Sequence, residues 1–213
     1  MSIVTIVDYG MGNLFSVSRA VERCGAEAVL TDTAAGIDDA KWLILPGVGA
    51  FADGMQGLRS RGLVEPLRRY AASQRPLLGI CLGMQMMLEV GLEFGTHEGL
   101  GLIAGRVESV PTLTASGERH KVPHIGWSGL QLPPGRNGWN NTILRDIAPG
   151  AAAYFVHSFM AVPTDPANRL ADADYDGVVV GAAIARDLVV GCQFHPEKSG
   201  EVGLAILGTF LEG

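Results

Sequence analysis

The stretch "PLLGICLGMQMML", Pro76 to Leu88, decides the reading of the fold. The apolar run Leu77–Ile80 has the signature of a buried strand, and the residues after Cys81 have the composition of a helix. Between them lies G-x-C-x-G, Gly79 to Gly83. This is the form of the strand-to-helix nucleophile elbow, G-x-S-x-G, with sulfur in place of oxygen. Small flanking residues let the chain reverse without Cβ clashes at a turn that strains the nucleophile. A thiol at the first turn of a helix is favoured as thiolate by the macrodipole. The Leu82 N–H is then placed to stabilise an oxyanion. A buried cysteine filling a glycine-rich turn fits the same spacing. The stretch by itself leaves both readings of Cys81 open.

Working outward, "SIVTIVDYG" at residues 2–10 reads as a buried strand ending in turn residues. Asn13 is suited to N-cap a helix through "NLFSVSRAVERCG", with Leu14, Val17, Val21 and Cys24 on one face and Gly25 as its stop. "AEAVL" and "KWLILPG" predict two further buried strands, and helices are expected over 51–59, 63–73 and 82–89. Strands alternating with helices imply right-handed parallel crossovers and a sheet covered on both faces. Further on, "LIAGRVESVPTL", "HKVPHIGWSGLQL", "AAAYFVHSFMAVP" and "VVVGAAIARDLVVGCQFHP" are strand-like. They predict a mixed or antiparallel extension of the same domain. A last helix is expected over 200–211, and residues 132–150 read as a loop or poorly structured insertion. The expected fold is α/β: one three-layer domain over residues 1–213, with a mostly parallel central sheet flanked by helices and an antiparallel β extension.

Composition narrows the classes. The 213 residues are 47% hydrophobic and 18% charged, a globular composition with ample core material. A formal charge of −6 and the lack of a basic cluster argue against a nucleic-acid surface. Three widely spaced cysteines argue against a disulfide framework and for a reducing, cytoplasmic setting. The N-terminus lacks the pattern of a signal peptide, and no apolar run approaches the ~20 residues of a membrane span. "DYGMGNLF" has Phe15 where a dinucleotide fingerprint needs its third glycine, and no P-loop is present. His120 and His124 have a metal-ligand spacing that Pro123 interrupts, so neither metal nor cofactor is expected. Cys24 and Cys192 read as structural.

A nucleophilic cysteine needs a base, and the base an orienting group. "GCQFHPEKSG" supplies both: His195 at the end of a strand, and Glu197 two residues on, where an extended H-x-E puts the side chains on one side. "LPGVGAF", residues 45–51, ends an apolar strand with two glycines. It suits the second half of an oxyanion hole, with Val48 or Gly49 donating.

Taken together, "LPGVGAF", "LLGICLGMQMML" and "QFHPEKSG" resemble the class I, triad-type glutamine amidotransferases. "IVDYGMGNLFSVSRAVERCG", "PHIGWSGL" and "YFVHSF" look like the glutaminase subunits of imidazole glycerol phosphate synthases, enzymes of histidine biosynthesis. The resemblance spans essentially the whole chain and implies a flavodoxin-like arrangement. It implies hydrolysis of glutamine through a Cys81–His195–Glu197 triad and a γ-glutamyl thioester, with Leu82 and Val48 or Gly49 at the oxyanion. It places glutamine against Gly49, Gln85, His157, Ser158 and Phe159. It implies a partner, a (βα)₈-barrel cyclase that receives ammonia through a channel and whose ribotide ligand stimulates the glutaminase. Asn13, Trp127, Tyr154 and Lys198 would lie near the docking face, although Trp127 and Tyr154 also fit a core. Ser128 stands where the resemblance leads one to expect asparagine. Other amidotransferases (for anthranilate, aminodeoxychorismate, GMP or pyridoxal phosphate), a partner-independent cysteine hydrolase and a relic binding domain are the competing readings.

Overall fold

Successive strand residues point to opposite faces of a sheet, so a strand buried along its whole length needs a layer on each side. Leu77–Ile80 is such a strand, and the rest of the fold supplies the two layers. The computed structural model describes residues 2–114 and 116–212. In chain order the elements are β1 (Ile3–Val7), α1 (Leu14–Arg23), β2 (Glu27–Thr31), α2 (Ala34–Asp38), β3 (Trp42–Leu45), α3 (Phe51–Ser60) and α4 (Val64–Ala72). Then come β4 (Leu77–Ile80), α5 (Leu82–Met86), β5 (Leu88–Gly91), β6 (His97–Glu98), β7 (Ile103–Ser109), β8 (His124–Gln131) and β9 (Ala152–His157). The chain ends with β10 (Phe159–Pro163), β11 (Arg169–Tyr175), β12 (Val178–Arg186), β13 (Val189–Cys192) and α6 (Gly200–Glu212).

The larger sheet has the order β2-β1-β3-β4-β13-β12-β11-β8-β9. From β2 to β13 neighbouring strands are parallel, and from β13 to β9 they are antiparallel. This is the expected parallel core with an antiparallel extension. A smaller sheet, β10-β7-β5-β6, shares no strand hydrogen bonds with it. Val4, Ile6, Ile44, Leu78 and Ile80 pack on one side with Val17 and Val21 of α1 and Ile206, Leu207 and Phe210 of α6. Val7, Leu43, Leu45 and Leu77 pack on the other, with α3, α4, α5 and the smaller sheet. Helix α1 is bounded as its sequence dictates. Asn13 Oδ1 accepts the Ser16 N–H at 3.3 Å, and the Gly25 and Ala26 N–H groups return to Glu22 and Val21 at 2.9 and 3.3 Å.

Several expectations change. β2 is a strand but not a buried one: it is an edge, and Val29 and Leu30 are 40% and 49% exposed. Helix α5 stops at Met86, not residue 89. The carbonyls of Met86, Met87 and Leu88 accept N–H groups from residues 100–103, which draw the chain into β5. "AAAYFVHSFMAVP" is two strands in different sheets, divided at Ser158. β11 and the short α2 were not anticipated. Residues 132–150 contain no strand or α-helix, yet Trp139 and Leu144 are buried and Trp139 Nε1–H donates to the Leu170 carbonyl at 2.8 Å. The segment seals the antiparallel extension.

Candidate active site

Cys81 follows β4 directly and has φ +55° and ψ −111°. A non-glycine residue there stores about 1–3 kcal/mol of strain and persists only where its surroundings impose it. The Cys81 N–H donates to Cys192 O at 2.7 Å, and its carbonyl accepts Gln85 N–H at 3.1 Å. The flanking glycines serve through size: a Cβ on Gly79 would lie 2.7 Å from the Met84 nitrogen, and one on Gly83 would collide with the Leu45 carbonyl oxygen. The Leu82 N–H opens α5 and has no acceptor within the helix.

His195 follows β13, in the strand neighbouring β4, so the sheet itself brings His195 to Cys81. His195 Nδ1 pairs with Glu197 Oε1 at 2.8 Å, and both side chains are almost wholly buried. A 3₁₀ turn over Pro196–Lys198 makes this pair, rather than the extended chain expected. The proline fits the first turn because its missing N–H is not needed there. The segment is tied to β9: His195 N–H donates to Tyr154 O at 2.9 Å, and Ser199 Oγ bridges His195 O and Tyr154 N–H at 2.7 and 3.0 Å. Burial by itself lowers the basicity of His195, but Cys81 and Glu197 together outweigh it and carry the pKa up to about 9. Cys81 contributes both as a hydrogen-bonding neighbour and by its charge, although its contact with Nε2 falls short of a fully formed hydrogen bond in this structure. Cys192, fully buried beside Glu197, has its thiol pushed well up and stays neutral.

Cys81 and His195 line a cleft of about 390 Å³. Leu82, Val48, Gly49, Gln85, His157, Ser158 and Phe159, the other substrate and oxyanion candidates, line it too. Glu197 stands behind His195. Larger openings beside His120 and between Arg68 and Arg186, about 740 and 440 Å³, contain none of these residues. The loop expected to hold the oxyanion is tied down on both sides of Val48–Gly49, at Pro46 and at Phe51. Tyr9 Oη–H donates to Pro46 O at 2.9 Å, and a Cβ on Gly47 would lie 2.9 Å from the Leu82 side chain. Val48, by contrast, is 43% exposed, and Gly49 has φ +103°. Glu93 also lines the cleft and is its one acidic lining residue among the described residues; its Oε2 accepts the Phe51 N–H that opens α3, at 2.7 Å. Nothing in "LEFGTHEG" marks it, because only the folding of β5 against α3 brings it there.

His157 belongs to a second network. Its Nδ1 meets Phe159 O at 2.8 Å, its Nε2 meets His124 Nδ1 at 3.0 Å, and His124 Nε2 meets Ser128 Oγ at 2.9 Å. A carbonyl only accepts, so both rings carry their proton on Nδ1 and Ser128 donates. Burial pushes both imidazoles down to about 4. Trp127, 57% exposed on β8, meets Tyr154 edge-on at 5.9 Å. Trp127 is therefore not core. Lys198 is exposed, and Asn13 is half-buried with its side chain engaged in the α1 cap. Among the described residues no helix is long and apolar enough to cross a membrane.

Comparison with known proteins gives the family of the chain. Residues 5–212 match the family described as glutamine amidotransferase class-I, and the chain belongs to it. Two full-length relatives narrow the place within that family. Imidazole glycerol phosphate synthase subunit HisH 1 of Legionella pneumophila (strain Lens) is 54% identical over 212 residues, covering 100% of both chains. Imidazole glycerol phosphate synthase subunit HisH of Geobacillus kaustophilus (strain HTA426) is 45% identical, covering 98% of this chain and 96% of its own. The structure of PurLQS from Thermotoga maritima shares the fold, with a TM-score of 0.72 at 21% identity over 99% of this chain and 98% of that one.

Proposed function

We propose that Cys81, His195 and Glu197 hydrolyse the side-chain amide of glutamine within one catalytic domain. The chain is a HisH-type glutaminase subunit of imidazole glycerol phosphate synthase, acts in histidine biosynthesis and works with the cyclase subunit of that enzyme. The observation that carries the catalytic assignment is the left-handed Cys81 at a strand end, sharing a cleft with a buried His195–Glu197 pair.

The Cys81 thiolate attacks the amide carbon, and the carbonyl π electrons move to oxygen. The oxyanion is held by the Leu82 N–H and by Val48 or Gly49 N–H. His195, kept protonated by its neighbours, gives its Nε2 proton to the departing nitrogen, and ammonia leaves a γ-glutamyl thioester. His195 then takes a proton from water as it attacks the thioester, and glutamate leaves with the thiolate restored. Glu197 holds the ring through Nδ1. The Glu93 carboxylate suits the α-ammonium of glutamine, and Gln85, His157, Ser158 and Phe159 enclose its amino-acid end. Ammonia passes to a (βα)₈-barrel cyclase docked over Trp127, Tyr154, Asn13 and Lys198, in the cytoplasm. An exposed tryptophan beside a tyrosine is the kind of amphipathic anchor such interfaces favour.

Replacing Cys81 by alanine in the assembled enzyme should lower ammonia release from glutamine by at least about 10³-fold while the cyclase still binds. Undiminished release would remove Cys81 from the mechanism. The loop pinned at Pro46 and Phe51, with Val48 exposed between them, supports a second element: docking turns a peptide of this loop and completes the oxyanion hole. Glutaminase turnover should then rise at least about tenfold on adding the cyclase and its ribotide ligand. Equal turnover by the isolated chain would show the hole to be preformed.

A further inference from the structure

Gln193 follows β13, two residues before His195, and is fully buried. Its side chain lies between the nucleophile and Gln85. Gln193 Nε2 is 3.6 Å from Cys81 Sγ, and Gln85 Nε2 is 3.0 Å from Gln193 Oε1 and 3.1 Å from the Phe159 carbonyl oxygen. One fixed acceptor orders the whole chain of amides. The Phe159 carbonyl can only accept, so Gln85 turns its NH₂ group toward it. The same nitrogen meets Gln193, which must present its oxygen. The Gln193 NH₂ is thereby left facing the sulfur. Both donors of Gln85 are consumed, and its Oε1 is the atom that remains for the cleft.

We propose that Gln193 is a positioning residue for the glutaminase reaction, coupling the nucleophile to the side chain that reads the substrate. Its N–H donates to the Cys81 sulfur and stabilises the thiolate more than the thiol, because a hydrogen bond to a charged acceptor is the stronger. Its Oε1 fixes the Gln85 amide so that an oxygen, not a nitrogen, meets the α-ammonium of glutamine. One buried side chain thus sets the state of the nucleophile and the polarity of the substrate pocket. The inference rests on Cys81 being the nucleophile.

Two variants separate the two halves. Gln193→Glu keeps an acceptor for Gln85 but replaces the N–H facing sulfur with a carboxylate oxygen, whose charge opposes the thiolate; Gln193→Met has neither donor nor acceptor. Alkylation of Cys81 by iodoacetamide, followed against pH by peptide mass spectrometry, reads the thiolate without using glutaminase activity. Both variants should alkylate about tenfold more slowly on the acid side of the profile, a one-unit rise in the midpoint. In the assembled enzyme, Gln193→Met should raise KM for glutamine by about tenfold, whereas Gln193→Glu should leave KM within about twofold. An unchanged alkylation profile and KM in both folded variants would overturn the proposal. If neither variant folds, the Gln193 side-chain ¹H–¹⁵N resonance of the unsubstituted chain decides: it must move as Cys81 ionises and stay still in Cys81→Ala, and a resonance that ignores the thiol overturns the proposal. Retained glutaminase activity in Cys81→Ala would instead refute the catalytic reading, whatever Gln193 does.

Discussion

His195 and His157 line the same cleft and are pushed in opposite directions, one up to about 9 and the other down to about 4. Both are buried, and burial alone lowers both. The difference lies in what each ring meets. His195 has a carboxylate on Nδ1 and a thiol beside Nε2; His157 has a carbonyl on Nδ1 and a second neutral histidine on Nε2. The end of β13 therefore favours a protonated ring, and the end of β9 a neutral one. Titratable groups whose surroundings drive them apart mark a division of labour.

The largest expected effect tests that division directly. His195→Asn should lower kcat for glutamine hydrolysis by at least about 10³-fold, since the leaving ammonia loses its acid. His157→Asn keeps a polar group in the cleft and should act mainly on KM, by about tenfold. Steady-state kinetics of the assembled enzyme with each variant decide the matter. Comparable losses of kcat in both would dissolve the contrast.

Stability against pH sharpens it next. His195 binds its proton more tightly folded than unfolded, so its contribution is complete below about 6.5 and is lost as pH rises through about 9. His157 and His124 do the reverse. They stay neutral in the fold while the unfolded chain takes up protons, so their contribution holds above about 6.5 and is lost as pH falls toward about 4. Thermal unfolding midpoints across this range should fall on both sides of neutrality. Glu197→Gln removes a charge that raises His195 and should flatten the alkaline fall alone. A loss of slope on the acid side instead would misplace both assignments.

How much of this was legible before folding follows the same physical line. Apart from the edge strand β2, the parallel half was readable because its strands are covered on both faces and appear as unbroken apolar runs, and because G-x-C-x-G and H-P-E are short, local patterns. β11 was missed because "RLADADY" carries two aspartates. Asp172 is nonetheless buried, since Arg169 Nη2 meets its carboxylate at 2.6 Å, a pairing that no periodicity reveals. The end of α5 was misplaced because backbone from residues 100–103 takes up its last carbonyls. Glu93 and Gln193 carry no motif at all. Their places come from β5 meeting α3 and from β13 lying beside β4.

The smallest expected effect concerns Ser128, the residue farthest along the neutral network. Its hydroxyl supplies the one donor for His124 Nε2 among the described residues, and that bond holds the His124 proton on Nδ1, facing His157. Ser128→Ala removes the donor and leaves a buried ring nitrogen unpaired, at a cost of about 1–2 kcal/mol. The His124 proton can then move to Nε2, which sets two bare nitrogens face to face between His124 and His157 and loosens the carbonyl end of the chain at Phe159. Ser128→Asn offers an amide N–H in the same place and should recover most of the loss. Thermal unfolding of the two variants at pH 7.5, where both histidines are neutral, measures the bond rather than a titration. If alanine and asparagine give the same midpoint as serine, Ser128 does not hold the tautomer, and the Phe159 carbonyl orders the network from its other end.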